Sequence, residues 1–230
     1  MNKQLKQSPK PENDPHQKPE NQERNKSKLL RWFLPGMILV IISISIFLLA
    51  QSSREEVPPT SAESLRAIGP ETAPVVIAEY ADFACITCRA WYQFGIKDRV
   101  IDTYGEQVRF EWHDFPVTSP ASPKAAEAGF CAHDQGGFWA YHEIVFDNAP
   151  ALSVDNLIQY AGEIGLDATQ FTECLESGRH APSVEAELKA ASNLGLFSVP
   201  SFIVNDQRLI GPPSFEQLSA TIDAILQAAN

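Results

Sequence analysis

Cysteine is scarce in this chain: four among 230 residues, too few for a miniature fold built on disulfides. Cys85 and Cys88 stand close together, while Cys131 and Cys174 are isolated in sequence. No second C-x-x-C and no paired histidines accompany them, so the further ligands that zinc needs are missing from the pattern. Basic residues are scarce past Arg31, where ten Lys/Arg face twenty-five Asp/Glu for a net −15; up to Arg31 the count is eight against four, a net +4. An acidic body without a basic footprint argues against nucleic acid as a partner. No internal repeat is apparent. What is present is globular: 44% hydrophobic residues and 13 Phe provide a core for one domain of ordinary size with extras.

Two further absences mark the N-terminal part. Residues 1–28 have almost no apolar side chains and cannot offset their ordering entropy by burial, so 1–31 is expected to be a disordered tail. Residues 32–50 contain no charge at all. As a helix they would span about 28 Å, close to the roughly 30 Å hydrocarbon core of a bilayer. Lys28, Arg31 and the interfacial Trp32 precede the run, which predicts a single-pass cell-membrane anchor with the tail in the cytoplasm and the rest outside it. A cleaved signal peptide and a buried core helix are the competing readings. The first is weakened by the long leading tail and by the lack of a small residue three places before Ala50; the second is weakened by the charge-free length. Residues 51–70, with Ser, Pro, Glu and Thr, read as a linker, and the folded domain is expected over 71–230.

Residues 74–83 are β-branched and aromatic, a strand pattern. Residues 85–104 carry Trp91, Phe94, Ile96, Val100 and Ile101 at helical spacing and stop at Gly105. A second strand follows over 107–115. Residues 122–195 repeat near 3.6 and form a block of short helices. Strand character returns at 201–204, Asn205-Asp206 makes a turn, and 208–210 pairs back as a hairpin. Ser214 caps a last helix that gathers Leu218, Ile222, Ile225 and Leu226 on one face. A βαβ half and a ββα half can share one sheet, with the helical block inserted between them. The fold class is therefore α/β, the thioredoxin arrangement with a helical insertion, preceded by one transmembrane helix.

The strand-to-helix setting gives the C-x-x-C a chemical meaning. Cys85 falls at the helix start, where unpaired backbone N–H groups and the helix dipole stabilise an anion. A thiolate there has its pKa lowered into the range of about 3.5–7.5. Cys85 would be the exposed nucleophile and Cys88, one turn later and more buried, the resolving thiol. A zinc half-site or an accidental pair are the bland alternatives.

The run Glu79-Tyr80-Ala81-Asp82-Phe83-Ala84-Cys85-x-x-Cys88 and the run Val199-Pro200-Ser201-Phe202-Ile203-Val204-Asn205, with the helical insertion between them, resemble the DsbA-like branch of the thioredoxin superfamily. The Gln135-Gly136-x-Phe138-Trp139-x-Tyr141-His142 pattern resembles that branch's insertion, and the likeness covers about residues 68–230. The resemblance implies that Pro200 is a cis-proline facing the redox pair. Backbone near Val199 would then pair with an extended substrate, and the proline would keep metal off the thiols. An ordinary edge-strand proline is the alternative. It also implies that Glu79 is a buried carboxylate that shuttles a proton; a solvent-facing strand residue is the alternative, and strand parity does not decide. The chain departs from the family at Ile86-Thr87, where strongly oxidising members have Pro and His. Neither side chain stabilises the thiolate by charge, so a milder oxidant is expected.

Cys131 and Cys174 lie in the helical block, either as buried free thiols acting as small apolar residues or, in an oxidising compartment, as a structural disulfide, the expectation here. His113, His133 and His142 lack paired ligand spacing, and no metal is expected. Phe138, Trp139 and Tyr141 read as insertion core. The leading expectation is an extracytoplasmic enzyme that oxidises substrate protein thiols through Cys85–Cys88 without a cofactor, with a membrane redox partner that is quinone-linked by resemblance. A reductase or isomerase of the same fold is the first alternative. A membrane-tethered, non-catalytic binding or assembly module is the second.

Overall fold

The computed structural model describes residues 66–228. The expected tail, anchor and most of the expected linker lie outside the described residues. Among the described residues, no helix is long and apolar enough to cross a membrane.

Two long β-branched and aromatic strands, β2 (Val75–Ala81) and β3 (Val108–Asp114), run parallel at the centre of a five-stranded sheet. A short strand β1 (Ala67–Ile68) pairs antiparallel with β3 on one side, and β4 (Ser201–Val204) with its hairpin partner β5 (Gln207–Ile210) extends the other, giving the order β1-β3-β2-β4-β5. Between β2 and β3 run α1 (Ile86–Gln93) and α2 (Ile96–Tyr104); five helices, α3 (Ser122–Asp134), α4 (Phe138–Asn148), α5 (Val154–Glu163), α6 (Ala168–Ser177) and α7 (Ala181–Asn193), separate β3 from β4, and α8 (Phe215–Ala228) follows β5. This is the expected thioredoxin arrangement with its helical insertion.

The sheet is covered on both faces. Val75, Ile77, Val108, Phe110, Phe202 and Val204 pack with Trp91 of α1, Val100 of α2, and Leu218 and Ile222 of α8. Tyr80 and Phe115 pack with Ala191 of α7 and with Leu196 on the other face. The insertion forms its own core around Tyr141, Phe146, Leu157 and Phe171, and that core continues into Phe83, Cys85, Cys88 and Trp112. Cys85 and Cys88 thus sit at the seam between sheet and insertion.

Two boundaries differ from the sequence reading. The described structure already includes Arg66 and strand β1, both within the expected linker. A two-residue strand shows no alternation that could mark it, and its anchor is tertiary. Arg66 is buried, ion-paired with Asp114 and Glu187, and lies 4.1 Å from the Phe130 ring centroid. The helix expected over 85–104 is two helices. Gly95 takes φ +62°, a left-handed conformation that costs glycine little, and ends α1 there. The turn leaves Phe94, a member of the expected apolar face, 79% exposed.

Candidate active site

β2 delivers the site. Its last residue, Ala81, leads into Asp82, whose carboxylate does the local wiring. One oxygen accepts from the Ala84 N–H at 2.8 Å, closing an Asx turn before Cys85; the other accepts from Val117 N–H, Thr118 N–H and the Thr118 hydroxyl at 2.6–2.9 Å. The loops after β2 and β3 are thereby fixed to each other. Cys85 then occupies the N-cap of α1 with extended backbone (φ −80°, ψ 119°).

At that position the sulfur meets the donors that a helix start leaves unpaired. Cys88 N–H donates to Cys85 Sγ at 3.2 Å, and the Thr87 hydroxyl lies 3.0 Å from it. The Cys88 side chain and these donors lower the Cys85 thiol to about 6 against the opposing effect of burial. Cys88 is fully buried, and burial pushes its thiol far up, reinforced by Cys85 beside it. The two cysteines are free thiols here, so two sulfurs one helical turn apart differ widely in acidity. The expectation of an exposed Cys85 is corrected in degree: its relative exposure is 5%.

Val199 and Pro200 come to the same place from the loop before β4. The Val199–Pro200 bond is cis. Cys85 Sγ donates toward Val199 carbonyl oxygen at 3.7 Å, and the Thr87 hydroxyl lies 3.4 Å from that oxygen. Glu79, in register with Trp112 of β3 and Phe202 of β4, is 3% exposed. Burial drives its carboxyl up to about 8; the Lys97 ammonium pulls it down and charge on Cys85 raises it again. Glu79 is thus electrostatically coupled to Cys85.

Cys131 and Cys174 are joined in a disulfide between α3 and α6, away from this site. The three histidines do not converge. His113 stacks on Tyr80 and lies 3.5 Å from Glu111, whereas His142 is enclosed by Phe83, Trp112, Trp139 and Phe146, with burial lowering its pKa well below the usual value. Phe138 and Tyr141 are core, as expected, and Trp139 packs against it while its ring faces the buried Lys97 ammonium at 4.7 Å. Sequence reasoning missed three contributors. Thr87 offers no charge to the thiolate, but its hydroxyl lies 3.0 Å from Cys85 Sγ. Asp82 could have been suspected as an Asx-turn former ahead of a helix. Lys97 carried no local signal, since only folding brings it within electrostatic reach of Glu79.

A family model described as "Thioredoxin" matches residues 61–224. Among curated proteins, the chain is similar to "Na(+)/H(+) antiporter NhaA" of Herminiimonas arsenicoxydans, 34% identical over 172 residues, covering 75% of this chain and 27% of that protein. It is also similar to "Na(+)/H(+) antiporter NhaA 3" of Salinispora tropica, 33% identical over 163 residues, covering 70% and 24%. The chain therefore spans about a quarter of the length of these relatives. Among solved structures, oxidised BdbD from Bacillus subtilis superposes with a TM-score of 0.67 at 20% identity, covering 73% of this chain and 95% of that one. A thioredoxin-like oxidoreductase from Silicibacter pomeroyi gives 0.64 at 24% identity with 71% and 93% covered. The thiol-disulfide exchange protein α-DsbA2 from Wolbachia pipientis gives 0.63 at 18%, with 70% and 87% covered. At these identities the likeness establishes the fold.

Proposed function

The chain belongs to the thioredoxin family, and from that premise we propose that it is a protein thiol–disulfide oxidoreductase with Cys85 and Cys88 as its redox centre. One observation carries the reading. Cys85 caps a helix with Cys88 N–H and the Thr87 hydroxyl on its sulfur and a thiol near 6, next to a buried Cys88 whose thiol is raised. Similarity to a thiol-disulfide exchange protein and a thioredoxin-like oxidoreductase supports it.

In the oxidised state a substrate thiolate attacks Cys85 Sγ. The Cys85–Cys88 bond breaks, Cys88 leaves with the electron pair and takes up a proton, and a mixed disulfide joins Cys85 to the substrate. A second substrate thiolate attacks the substrate sulfur of that bond and expels Cys85 as a thiolate. The substrate gains a disulfide, and the enzyme is left with two more electrons. A thiol near 6 is ionised roughly tenfold over at pH 7, which makes Cys85 a good leaving group. Cys88, by contrast, must be protonated as it departs into an apolar core. Glu79, buried and protonatable near neutral pH, is the proposed proton donor and acceptor for that step.

Stabilising the thiolate stabilises the reduced enzyme, which favours oxidation of substrates. The Cys85 thiol near 6 lies between about 7 for thioredoxin and about 3.5 for DsbA. The reduction potential is therefore expected between roughly −270 and −120 mV, a mild oxidant. Equilibration of the pair with glutathione, alongside oxidative refolding of a reduced substrate, tests the direction. A potential at or below that of thioredoxin, with no refolding, would reverse the assignment to a reductase.

The charge-free run at 32–50 behind a net-positive flank supports an anchored enzyme with its domain outside the cytoplasm. There a membrane partner, quinone-linked by resemblance, would accept the two electrons. Recovery in the membrane fraction and cleavage of the domain by protease added from outside are the expected results. Cleavage only after lysis would place the domain on the cytoplasmic side instead.

A further inference from the structure

Away from the redox pair, four chemistry-bearing side chains converge where α3 and α6 lie side by side. The Cys131–Cys174 disulfide joins the two helices with Cα atoms 5.9 Å apart. Asp134, in the last turn of α3, has Oδ2 3.9 Å from Cys174 Sγ and 2.7 Å from His180 Nε2. Both sulfurs and a ring nitrogen of His180 lie within 4.8 Å of one another. His180, at the N-cap of α7, is held by stacking on Phe130, with ring centroids 5.3 Å apart. Its side chain is 19% exposed and that of Asp134 29%, so an ion from solvent can reach them.

We propose that reduction of Cys131–Cys174 turns this cluster into a zinc site, with both sulfurs, His180 and Asp134 as ligands. A dithiol reductant supplies two electrons and two protons; the S–S bond breaks, two thiols form, and the reductant becomes a disulfide. Zinc then displaces the two thiol protons. Two thiolates, an imidazole and a carboxylate are a zinc donor set, and bond lengths of about 2.0–2.3 Å place tetrahedral ligand atoms roughly 3.3–3.8 Å apart. Both sulfurs and the His180 nitrogen lie within 4.8 Å of one another, and Asp134 Oδ2 lies 3.9 Å from Cys174 Sγ, close to that spacing. Charge agrees. Two thiolates and Asp134 carry three negative charges against the single positive charge of Arg179, which bonds Asp134 Oδ2 at 2.5 Å and is 47% exposed. A divalent cation neutralises the remainder. Disulfide and metal are then alternative staples between the same two helices. The oxidised form cannot hold the ion, because sulfurs bonded to each other offer no thiolate.

The test uses the full chain carrying C85S and C88S, which removes the other thiol pair as a zinc ligand. The protein is reduced with a phosphine under anaerobic conditions, loaded with zinc and dialysed. About one zinc per chain is expected after reduction and only background without it. Since losing even an outer-shell partner costs 10–100-fold in metal affinity, H180A is expected to weaken binding by at least about that much. Cobalt replaces zinc in a parallel sample of the reduced C85S/C88S chain, where a sulfur-to-cobalt charge-transfer band reports thiolate ligation without altering His180. Any of three results overturns the proposal: no metal retained after reduction, equal affinity in an H180A protein of unchanged circular dichroism, or a cobalt spectrum without the sulfur band.

Discussion

Cys85 and Cys88 are three residues apart on one helical turn, whereas Cys131 and Cys174 are 43 apart and meet from two helices. All four are at most 5% exposed, so burial does not distinguish them. Position along the helix does. Cys85 is at an N-cap, where its sulfur accepts an N–H that has no carbonyl partner, while Cys131 lies inside α3 and Cys174 inside α6, where backbone donors are already used. A sulfur at a helix start is stabilised as an anion by backbone donors; a sulfur on a helix flank has no such donors. The first pair is placed where a thiolate is stabilised, and the second joins two helices of the insertion.

That contrast breaks most sharply at the nucleophile. C85S is expected to abolish oxidative refolding of a reduced substrate, whereas C88S should accumulate mixed disulfides seen on non-reducing gels. Removing the other pair, as C131S/C174S, should leave exchange running. It should cost about 4 kcal/mol of stability by the loop-entropy relation for this separation, read by denaturant unfolding. Equal losses of activity in C85S and in C131S/C174S would erase the distinction.

Glu79 sharpens it through pH. Its folded pKa of about 8 exceeds the ordinary 4.5, so the protonated carboxyl is favoured by folding. Its contribution is complete below about 4.5 and is lost as pH rises through about 8. E79Q removes that titration and should stabilise the protein at pH 7 by roughly 3 kcal/mol, with little gain below pH 4.5. It should also slow exchange by about a hundredfold or more, the lower range for general acid–base catalysis. Denaturant midpoints across pH, set beside single-turnover rates, check both. A smaller effect belongs to Thr87. T87V removes a hydroxyl 3.0 Å from Cys85 and should raise that thiol by about one unit, the scale of a hydrogen bond to a charged group. The pH dependence of alkylation reads it, and C131S/C174S should leave that pKa where it is.

Much of this was legible in the chain because it is local. The strand 201–204 and the hairpin turn at Asn205-Asp206 match β4 and β5. Ser214 caps α8 as expected, accepting from Gln217 N–H at 3.2 Å while the Gln217 side chain returns to Ser214 N–H, a capping-box arrangement. What failed was of two kinds. Gly95 sat inside an apolar pattern whose period continued across it, and periodicity does not register a left-handed residue. Arg66 owes its place to Asp114 and Glu187, 48 and 121 residues away, which no window of neighbouring residues contains. The site divides in the same way. The spacing of Cys85 and Cys88 with a strand before and a helix after was local, but Thr87 and Asp82 act through hydrogen bonds that only the folded loops define.

By itself the sequence determined the acidic body, the charge-free run at 32–50, the order of the four longer strands around a helical insertion, and a C-x-x-C at a helix start. Each follows from composition or from contacts within a few residues. Only the tertiary structure decided that Glu79 is buried rather than solvent-facing, that Lys97 offsets part of its burial, and that Val199 carbonyl reaches Cys85 across 114 residues of chain. It also decided that Cys131 meets Cys174. The physical reason is common to all of them. Burial and charge depend on what surrounds a group in space, and a buried carboxylate or a lowered thiol exists only once distant segments have excluded water around it.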